Sequence, residues 1–158
     1  MSKIIILQGP PASGKSTEVK KWQAEQPNTR VIVSRDALRH ARGQYWVPEQ
    51  EEFITKLETY MVRQALEQGY DVAIDATNLN EAVLERWRQI ALGFDAEVEA
   101  WLFHVEKYEC FLKDSNADRE HSVGMAVIES FYSKYEALCE AKGIVPEYGT
   151  ITKYNPFQ

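Results

Sequence analysis

The segment Gly9-Pro10-Pro11-Ala12-Ser13-Gly14-Lys15-Ser16 has the spacing of a phosphate-binding loop, and Thr17 follows it directly. An apolar run at 4–7 precedes the loop and predicts a strand, and residues 16–26 predict a helix after it. Glycines let backbone N–H groups converge on phosphate oxygens, while Lys15 can reach the β- and γ-phosphates and the Ser16 hydroxyl can ligate Mg²⁺. We therefore expect residues 9–17 to bind ATP with Mg²⁺; the alternative is a glycine turn before a surface helix.

Strand and helix patterns alternate along the rest of the chain. Short apolar runs predict strands at 3–8, 30–34, 71–76 and 98–104, with a short edge strand at 149–154. Helical patterns occupy 16–26, 48–68, 81–92, about 106–114 and 124–142. This alternation is typical of an α/β fold in three layers, with helices on both faces of a parallel sheet of four or five strands.

Two helices have an apolar face that can be predicted. In the helix at 48–68 the face consists of Phe53, Leu57, Tyr60, Met61 and Leu66. In the helix at 81–92 it consists of Val83, Leu84, Trp87 and Ile90, with Asn80 as the N-cap and Gly93 as the end. We expect these faces, and the four tryptophans, to pack in the core or at its margins.

Length and composition restrict the possible classes of protein. The 158 residues suit a single domain over 1–158, and no apolar run approaches the length of a membrane span. The N-terminus lacks a secretory signal pattern, so we expect a cytoplasmic protein in which Cys110 and Cys139 are reduced core thiols. The formal net charge of −6 argues against a broad nucleic-acid surface. A nucleic-acid substrate would have to be gripped locally.

Asp36 and Arg39 follow the second predicted strand, at the sheet edge where open parallel sheets bind ligands. A carboxylate there can orient a hydroxyl acceptor and take its proton during phosphoryl transfer. Arg39 projects from the same side of a helical turn and could hold an anionic group of the acceptor. The alternative is that Asp36 only caps the next turn and that Arg39 is a solvated charge.

The third predicted strand ends in Asp75, followed by Thr77 and Asn78, which places a carboxylate, a hydroxyl and an amide at the same edge. Asp75 is placed to support Mg²⁺ through Ser16 or a metal-bound water. Thr77 and Asn78 are candidate substrate-binding residues, or turn residues only. A polar segment at 115–124 predicts a lid over the site, within about 113–124, and its arginine, Arg119, could stabilise the transferring phosphate.

These motifs together resemble the polynucleotide 5′-hydroxyl kinase family, in particular its phage-type kinase domain. The resemblance runs in order through residues 9–17, Ser34-Arg35-Asp36 with Arg39, residues 75–80, and Asn116-Ala117-Asp118-Arg119. It continues through Val127, Ile128 and Tyr132 and covers the chain to about residue 138. It implies a P-loop kinase fold with a helical lid.

The resemblance also implies roles for individual residues. Asp36 matches the general base for the 5′-hydroxyl, Arg39 the arginine that binds the phosphate next to the acceptor nucleoside, and Arg119 the lid arginine on the donor phosphates. Arg35, within the same motif as Asp36, becomes a candidate substrate-binding residue. Lys15 and Arg119 join Asp36 as the expected catalytic groups.

The expected activity is therefore transfer of the γ-phosphate of ATP, with Mg²⁺, to a 5′-hydroxyl end of DNA or RNA, as in nucleic acid repair. One alternative is a kinase of another hydroxyl, such as a nucleoside, a small metabolite or a hydroxymethylated base in DNA, because one fold hosts all of these. A second alternative is an ATP-binding regulatory module that transfers nothing.

Overall fold

The structure is a computed structural model that describes residues 1–116 and 122–158. In this part of the chain five strands alternate with α-helices. The strands are β1 (Lys3–Gln8), β2 (Arg30–Ser34), β3 (Asp71–Asp75), β4 (Glu97–Phe103) and β5 (Ile151–Tyr154). The helices are α1 (Lys15–Glu25), α2 (Arg35–Arg42), α3 (Glu51–Glu67), α4 (Glu81–Phe94), α5 (Lys107–Asp114) and α6 (Met125–Lys142), and a short 3₁₀ helix (Pro48–Gln50) precedes α3.

The strands form one sheet in the order β2-β3-β1-β4-β5. The first four strands run parallel, and β5 runs antiparallel to β4, so the sheet is mostly rather than wholly parallel. Apolar side chains of β1 pack on both faces of the sheet, in two separate clusters, as a central strand requires. The predicted α/β fold is confirmed, with each of the four parallel strands within one residue of its predicted bounds.

The sheet register brings the functional motifs to one edge. Ser34 pairs with Asp75, so the start of α2 lies beside the end of β3. The end of β1, which leads into the phosphate loop, lies on the other side of β3. The carboxyl ends of three neighbouring strands therefore carry the three motifs, which is where ligands bind in open α/β sheets.

The predicted apolar face of α3 is confirmed at Leu66, but its phase was wrong. The buried positions are Ile54, Glu58, Val62, Ala65 and Leu66, whereas Phe53, Tyr60 and Met61 are exposed. Glu58 occupies the buried face because Arg35 and Arg86 both donate to its Oε1 atom, each at 3.0 Å. A pattern of hydrophobic residues cannot show an acid whose burial depends on arginines from other helices.

In α4 the predicted face and N-cap are confirmed, and the predicted end is wrong. Trp87 and Ile90 are buried, and Asn80 Oδ1 accepts a hydrogen bond from the Ala82 backbone N–H at 2.8 Å. Gly93 lies inside the helix, which ends when Asp95 adopts a left-handed conformation with φ of 52°. An aspartate tolerates this conformation, so the helix did not need glycine to end.

Three of the four tryptophans are buried in the core or its margins, as expected, and Trp46 is the exception at 53% exposed. Cys110 and Cys139 are both buried and unoxidised. His104 is also buried, where its ring nitrogens contact the hydroxyls of Tyr135 and Thr152, each at 2.6 Å. Within residues 1–116 and 122–158 no helix combines the length and apolarity that crossing a membrane requires.

Candidate functional site

A cleft of about 1480 Å³ opens at the carboxyl ends of the parallel strands. Its walls include side chains from all the predicted motifs that the structure describes. The lining residues predicted from the sequence are 11–17, Arg35, Asp36, Arg39, Asp75, Thr77 and Asn78. The phosphate loop and the Asp36 region, separated by about twenty residues in the sequence, therefore face one shared space.

The phosphate loop has the backbone geometry that its glycines predict. Gly14 adopts a left-handed conformation with φ of 92° immediately before α1. A Cβ atom at Gly9 would lie 2.8 Å from Ser13 Oγ, so a side chain there would displace the Ser13 hydroxyl. Ala12 is also left-handed, with φ of 64°. The loop thus leads into the N-terminus of an eleven-residue helix, whose backbone N–H groups and dipole favour a bound anion.

Lys15 lies folded over this loop. Its Nζ atom donates to Gly9 O at 2.9 Å, to Pro10 O at 2.7 Å and to Ser13 Oγ at 3.2 Å. The ammonium group is therefore held within the loop. A bound triphosphate would compete with the neutral backbone carbonyls for hydrogen bonds from this charged donor. A phosphate oxygen is the stronger acceptor for such a donor because its hydrogen bond is charge-assisted.

Ser16 and Asp75 form the polar contact expected of a magnesium site. Ser16 Oγ donates to Asp75 Oδ2 at 2.8 Å, and Asp75 is 7% exposed at the end of β3. Burial raises the pKa of the Asp75 carboxyl, an effect that Lys15 and the Ser16 hydrogen bond oppose. These two oxygen-bearing side chains fit Mg²⁺, which takes one or two protein ligands and completes its shell with phosphate oxygens and water.

Asp36 is the second residue of α2, and its carboxylate is not the helix cap. Ser34 is the N-cap, because its Oγ accepts the backbone N–H of Ala37 at 3.2 Å. The Asp36 side chain is 53% exposed, and its Oδ1 accepts from Arg39 Nη1 and from Tyr45 Oη, both at 2.8 Å. Capping is therefore excluded as the reason for an aspartate here, and Asp36 lines the cleft.

Arg39 is fixed in position from the opposite side by Glu51. Arg39 Nε donates to Glu51 Oε2 at 3.1 Å and Arg39 Nη2 to Glu51 Oε1 at 2.5 Å, which makes a bidentate pair. Burial alone lowers the pKa of Arg39, but Glu51 more than offsets it and the pKa rises. Burial, followed by the Asp36 charge, raises the pKa of Tyr45 to about 12, so this phenol stays a hydrogen-bond donor at neutral pH.

The guanidinium of Arg35 binds side chains of α3. It donates from Nη1 to Glu58 Oε1 and from Nη2 to Thr55 Oγ1, both at 3.0 Å. It also approaches the Glu51 carboxylate at 3.3 Å. These bonds fasten α2 to α3 and so hold Asp36 and Arg39 at the rim of the cleft.

Thr77 and Asn78 connect the strand ends. The backbone N–H of Gly9 donates to Thr77 O at 3.1 Å, which ties the start of the phosphate loop to the segment after β3. Asn78 is buried, donates through Nδ2 to Leu7 O at 2.7 Å, and accepts from Trp87 Nε1 at 3.1 Å. Both residues lie on the cleft wall, and the Asn78 amide bonds to neighbouring protein groups.

Of the predicted lid, the structure describes the two ends. Residues 117–121, and with them Arg119, lie outside the described residues. Asp114, at the end of α5, is 3% exposed and accepts from Ser122 Oγ at 2.8 Å and from the backbone N–H groups of Val123 and Gly124 at 2.9 Å. One carboxylate thus fixes the two ends of the segment, next to a cleft wall formed by Lys113, Ser122 and Val123.

Sequence reasoning missed three residues that organise this site: Tyr45, Glu51 and Asp114. Tyr45 could have been noticed, since Tyr45 and Trp46 are adjacent aromatics in a loop that directly follows the Asp36 helix. Glu51 lies twelve residues after Arg39, and this spacing does not predict a contact between the two side chains. Asp114 stands among other polar residues at a helix end, and only the folded chain shows what it binds.

This chain is similar to known proteins in sequence and in fold. The profile of the family AAA_33, described as an AAA domain, matches residues 4–138. The L-seryl-tRNA(Sec) kinase of Methanococcus maripaludis is 29% identical over 136 residues, which are 84% of this chain and 52% of that protein. The present chain therefore spans about half the length of this curated relative.

Solved structures extend the likeness. A chain from the Pnkp1/Rnl/Hen1 RNA repair complex superimposes with a TM-score of 0.77 at 24% identity, covering 96% of this chain and 48% of that one. A gluconokinase from Sinorhizobium meliloti superimposes with a TM-score of 0.55 at 15% identity, covering 84% of this chain and 74% of that one. At these identities the likeness shows the fold, which is that of P-loop kinases. With the profile matched over most of its length, the chain belongs to the AAA_33 family of AAA domains.

Proposed function

We propose that this protein transfers the γ-phosphate of ATP to the 5′-hydroxyl end of DNA or RNA. The observation that carries the proposal is the Asp36–Arg39 pair, which faces the same cleft as the phosphate loop. A phosphate loop by itself accounts for the donor. A carboxylate paired with an arginine in the same cleft supplies what a hydroxyl acceptor with a neighbouring phosphate needs.

Asp36 acts as the general base in this proposal. As the acceptor oxygen forms its bond to the γ-phosphorus and the bond to the β–γ bridging oxygen breaks, the hydroxyl proton passes to the Asp36 carboxylate. The leaving group is ADP. Because Tyr45 and Arg39 both hold Oδ1, the carboxylate has a fixed orientation before substrate arrives.

Arg39 binds the phosphate that follows the acceptor nucleoside. Glu51 occupies its Nε and Nη2 donors, which leaves the Nη1 side towards Asp36 and the cleft. A phosphate entering here would meet a guanidinium whose position is already set, so little side-chain entropy is lost on binding. The same contact would place the adjacent 5′-hydroxyl near Asp36.

Lys15, Ser16 and Asp75 form the donor side, with Arg119 as the expected lid arginine. P-loop kinases use ATP, typically with Mg²⁺, and a bound Mg²⁺ would neutralise charge on the β- and γ-phosphates. Ser16 would ligate the ion, with Asp75 orienting Ser16 or a metal-bound water. Lys15 would move from the loop carbonyls to the phosphate oxygens, and Arg119 would stabilise charge on the transferring group.

Two relatives support an acceptor made of nucleic acid. One is named for a kinase of seryl-tRNA, and the other belongs to an RNA repair complex. The seryl-tRNA kinase also supports the second candidate function, phosphorylation of a hydroxyl other than a 5′ end, since its name describes an aminoacyl acceptor. A gluconokinase of the same fold keeps small metabolites in this second class.

A panel of acceptors with γ-labelled ATP separates these functions. It should contain 5′-hydroxyl DNA and RNA oligonucleotides, nucleosides, gluconate, seryl-tRNA and DNA with hydroxymethylated bases. We expect label on the 5′-hydroxyl oligonucleotides and ADP formation that depends on the acceptor. Label on another acceptor alone would favour the second function, and ADP formation indifferent to every acceptor would favour a non-transferring module.

A further inference from the structure

Trp46 is a half-exposed indole beside the acceptor side of the cleft. It is 53% exposed, whereas Trp22, Trp87 and Trp101 are each at most 7% exposed. It lines the same cleft as Asp36. A large aromatic ring left open to solvent in a binding cleft contributes little to the core and is available to a ligand.

The ring lies next to the guanidinium to which we assign the substrate phosphate. The Arg39 Cζ atom is 5.7 Å from the centroid of the Trp46 ring and 5.7 Å from that of Tyr45. Arg39 therefore lies within cation–π range of both rings, which helps to keep the indole at the phosphate position. A ligand whose phosphate binds Arg39 has its neighbouring groups within reach of Trp46.

The loop that carries Trp46 is braced by Arg42. Arg42 Nη1 donates to Gln50 Oε1 at 2.9 Å, and Nη2 donates to the backbone carbonyl of Gln44 at 2.5 Å. Gly43 starts the loop with φ of 120°, a conformation that favours glycine. The indole is thus presented by a bonded loop that leads directly into the 3₁₀ helix before α3.

We propose that Trp46 stacks on a nucleobase of the acceptor, in one of the two nucleotides that flank the phosphate held by Arg39. This inference rests on the proposed function. Stacking on Trp46 would let the site distinguish a polynucleotide from a small acceptor that has a phosphate or hydroxyl groups but no base. Stacking on an aromatic side chain accepts any base, because every base presents a π-face. It also suits a chain of net charge −6, which must hold nucleic acid by local contacts.

The test compares 5′-hydroxyl trinucleotides that differ by one base. The acceptors are the intact trinucleotide and two versions in which the first or the second nucleotide lacks its base and keeps its sugar and phosphate. Wild-type protein, Trp46→Ala and Trp46→Phe are measured with each. Tyr60→Ala, which removes an exposed aromatic ring of α3 outside the cleft, is the matched control.

For wild-type protein, removing one of these two bases is expected to lower kcat/KM by about tenfold or more. On the intact acceptor, Trp46→Ala should lower kcat/KM by the same factor. On the acceptor that lacks the stacking base, Trp46→Ala should lower kcat/KM by less than about twofold relative to wild-type protein. Trp46→Phe should lie between, and Tyr60→Ala should match wild type. Losses from Trp46→Ala that are equal on intact and abasic acceptors, or no loss at all, would overturn the stacking.

A binding measurement gives a second readout that needs no turnover. Stacking of a base on the one half-exposed tryptophan in the described part of the chain should quench tryptophan fluorescence when intact trinucleotide is added without ATP. Trp46→Phe should abolish the quenching. A wild-type protein that phosphorylates no polynucleotide would overturn the proposed function itself, whereas one that phosphorylates intact and abasic ends equally well would overturn the stacking alone.

Discussion

Both carboxylate oxygens of Glu51 accept hydrogen bonds from Arg39, at 3.1 Å from Nε and 2.5 Å from Nη2. Arg39 Nη1 donates to Asp36 Oδ1 at 2.8 Å. One acid from α3 thereby sets the position of the arginine that pairs with the proposed base. Glu51 is 20% exposed and Arg39 is 15% exposed, so solvent screens this pair less than it screens an exposed ion pair. The acceptor side of the cleft is organised before substrate binds.

Glu51→Gln should weaken acceptor binding more than chemistry. The amide retains one acceptor oxygen and loses the charge, so Arg39 loses its bidentate partner and becomes mobile. We expect KM for a 5′-hydroxyl oligonucleotide to rise about tenfold, with KM for ATP unchanged. Glu52→Gln, one residue along and exposed, is the control. Equal effects of the two substitutions on KM would contradict the role of Glu51.

Asp75→Asn should raise the Mg²⁺ concentration needed for half-maximal activity and lower kcat by about tenfold or more. The substitution removes a negative charge 2.8 Å from the Ser16 hydroxyl while preserving shape. Asp71→Asn is a matched control at the other end of β3, where the side-chain oxygen accepts the Lys3 backbone N–H at 2.9 Å. An unchanged Mg²⁺ titration for Asp75→Asn would remove Asp75 from the metal site.

Asp114→Ala should destabilise the protein by about 1–3 kcal/mol, because the Ser122 hydroxyl and the backbone N–H groups of Val123 and Gly124 would lose their hydrogen bonds to a buried carboxylate. Denaturant unfolding measures this change. Since the same bonds fix both ends of the lid segment, KM for ATP should rise as well. Asp114→Asn, which keeps one acceptor oxygen, should show a smaller effect on both. A stable Asp114→Ala variant with normal KM for ATP would show that these bonds are dispensable.

His104 should make the folded protein less stable in mild acid. Burial lowers the pKa of His104 below its ordinary 6.5, so below that pH the unfolded chain binds a proton that the folded one resists. Stability is therefore full above about pH 6.5 and falls as the pH drops, by about 1.4 kcal/mol for each unit of pKa difference. His104→Gln should flatten this part of the curve of unfolding free energy against pH. An identical slope in the variant would exclude His104 as its source.

The sequence predicted the sheet and the loop because both depend on local signals. Each parallel strand is a short apolar run bounded by polar or turn residues, and the phosphate loop is a fixed spacing of glycines and Lys15. The contact between Asp36 and Arg39 was also predictable, since three residues form almost one helical turn.

The remainder depends on contacts between distant segments. The phase of α3 was misjudged because Glu58 is buried against arginines 23 and 28 residues away. Glu51 and Tyr45 meet the Asp36–Arg39 pair only once α2, its following loop and α3 have packed together. Arg119 falls outside the described residues, and its role remains a prediction.

The most direct test of the proposed base is the turnover of Asp36→Asn with a 5′-hydroxyl oligonucleotide, measured beside its affinity for ATP. Asparagine keeps an oxygen for Arg39 and Tyr45, so the site should retain its shape while losing the group that takes the proton. We predict that kcat falls by at least about 100-fold and that the Kd for ATP stays within about twofold of wild type. Turnover equal to wild type would contradict the assignment of Asp36 as the general base.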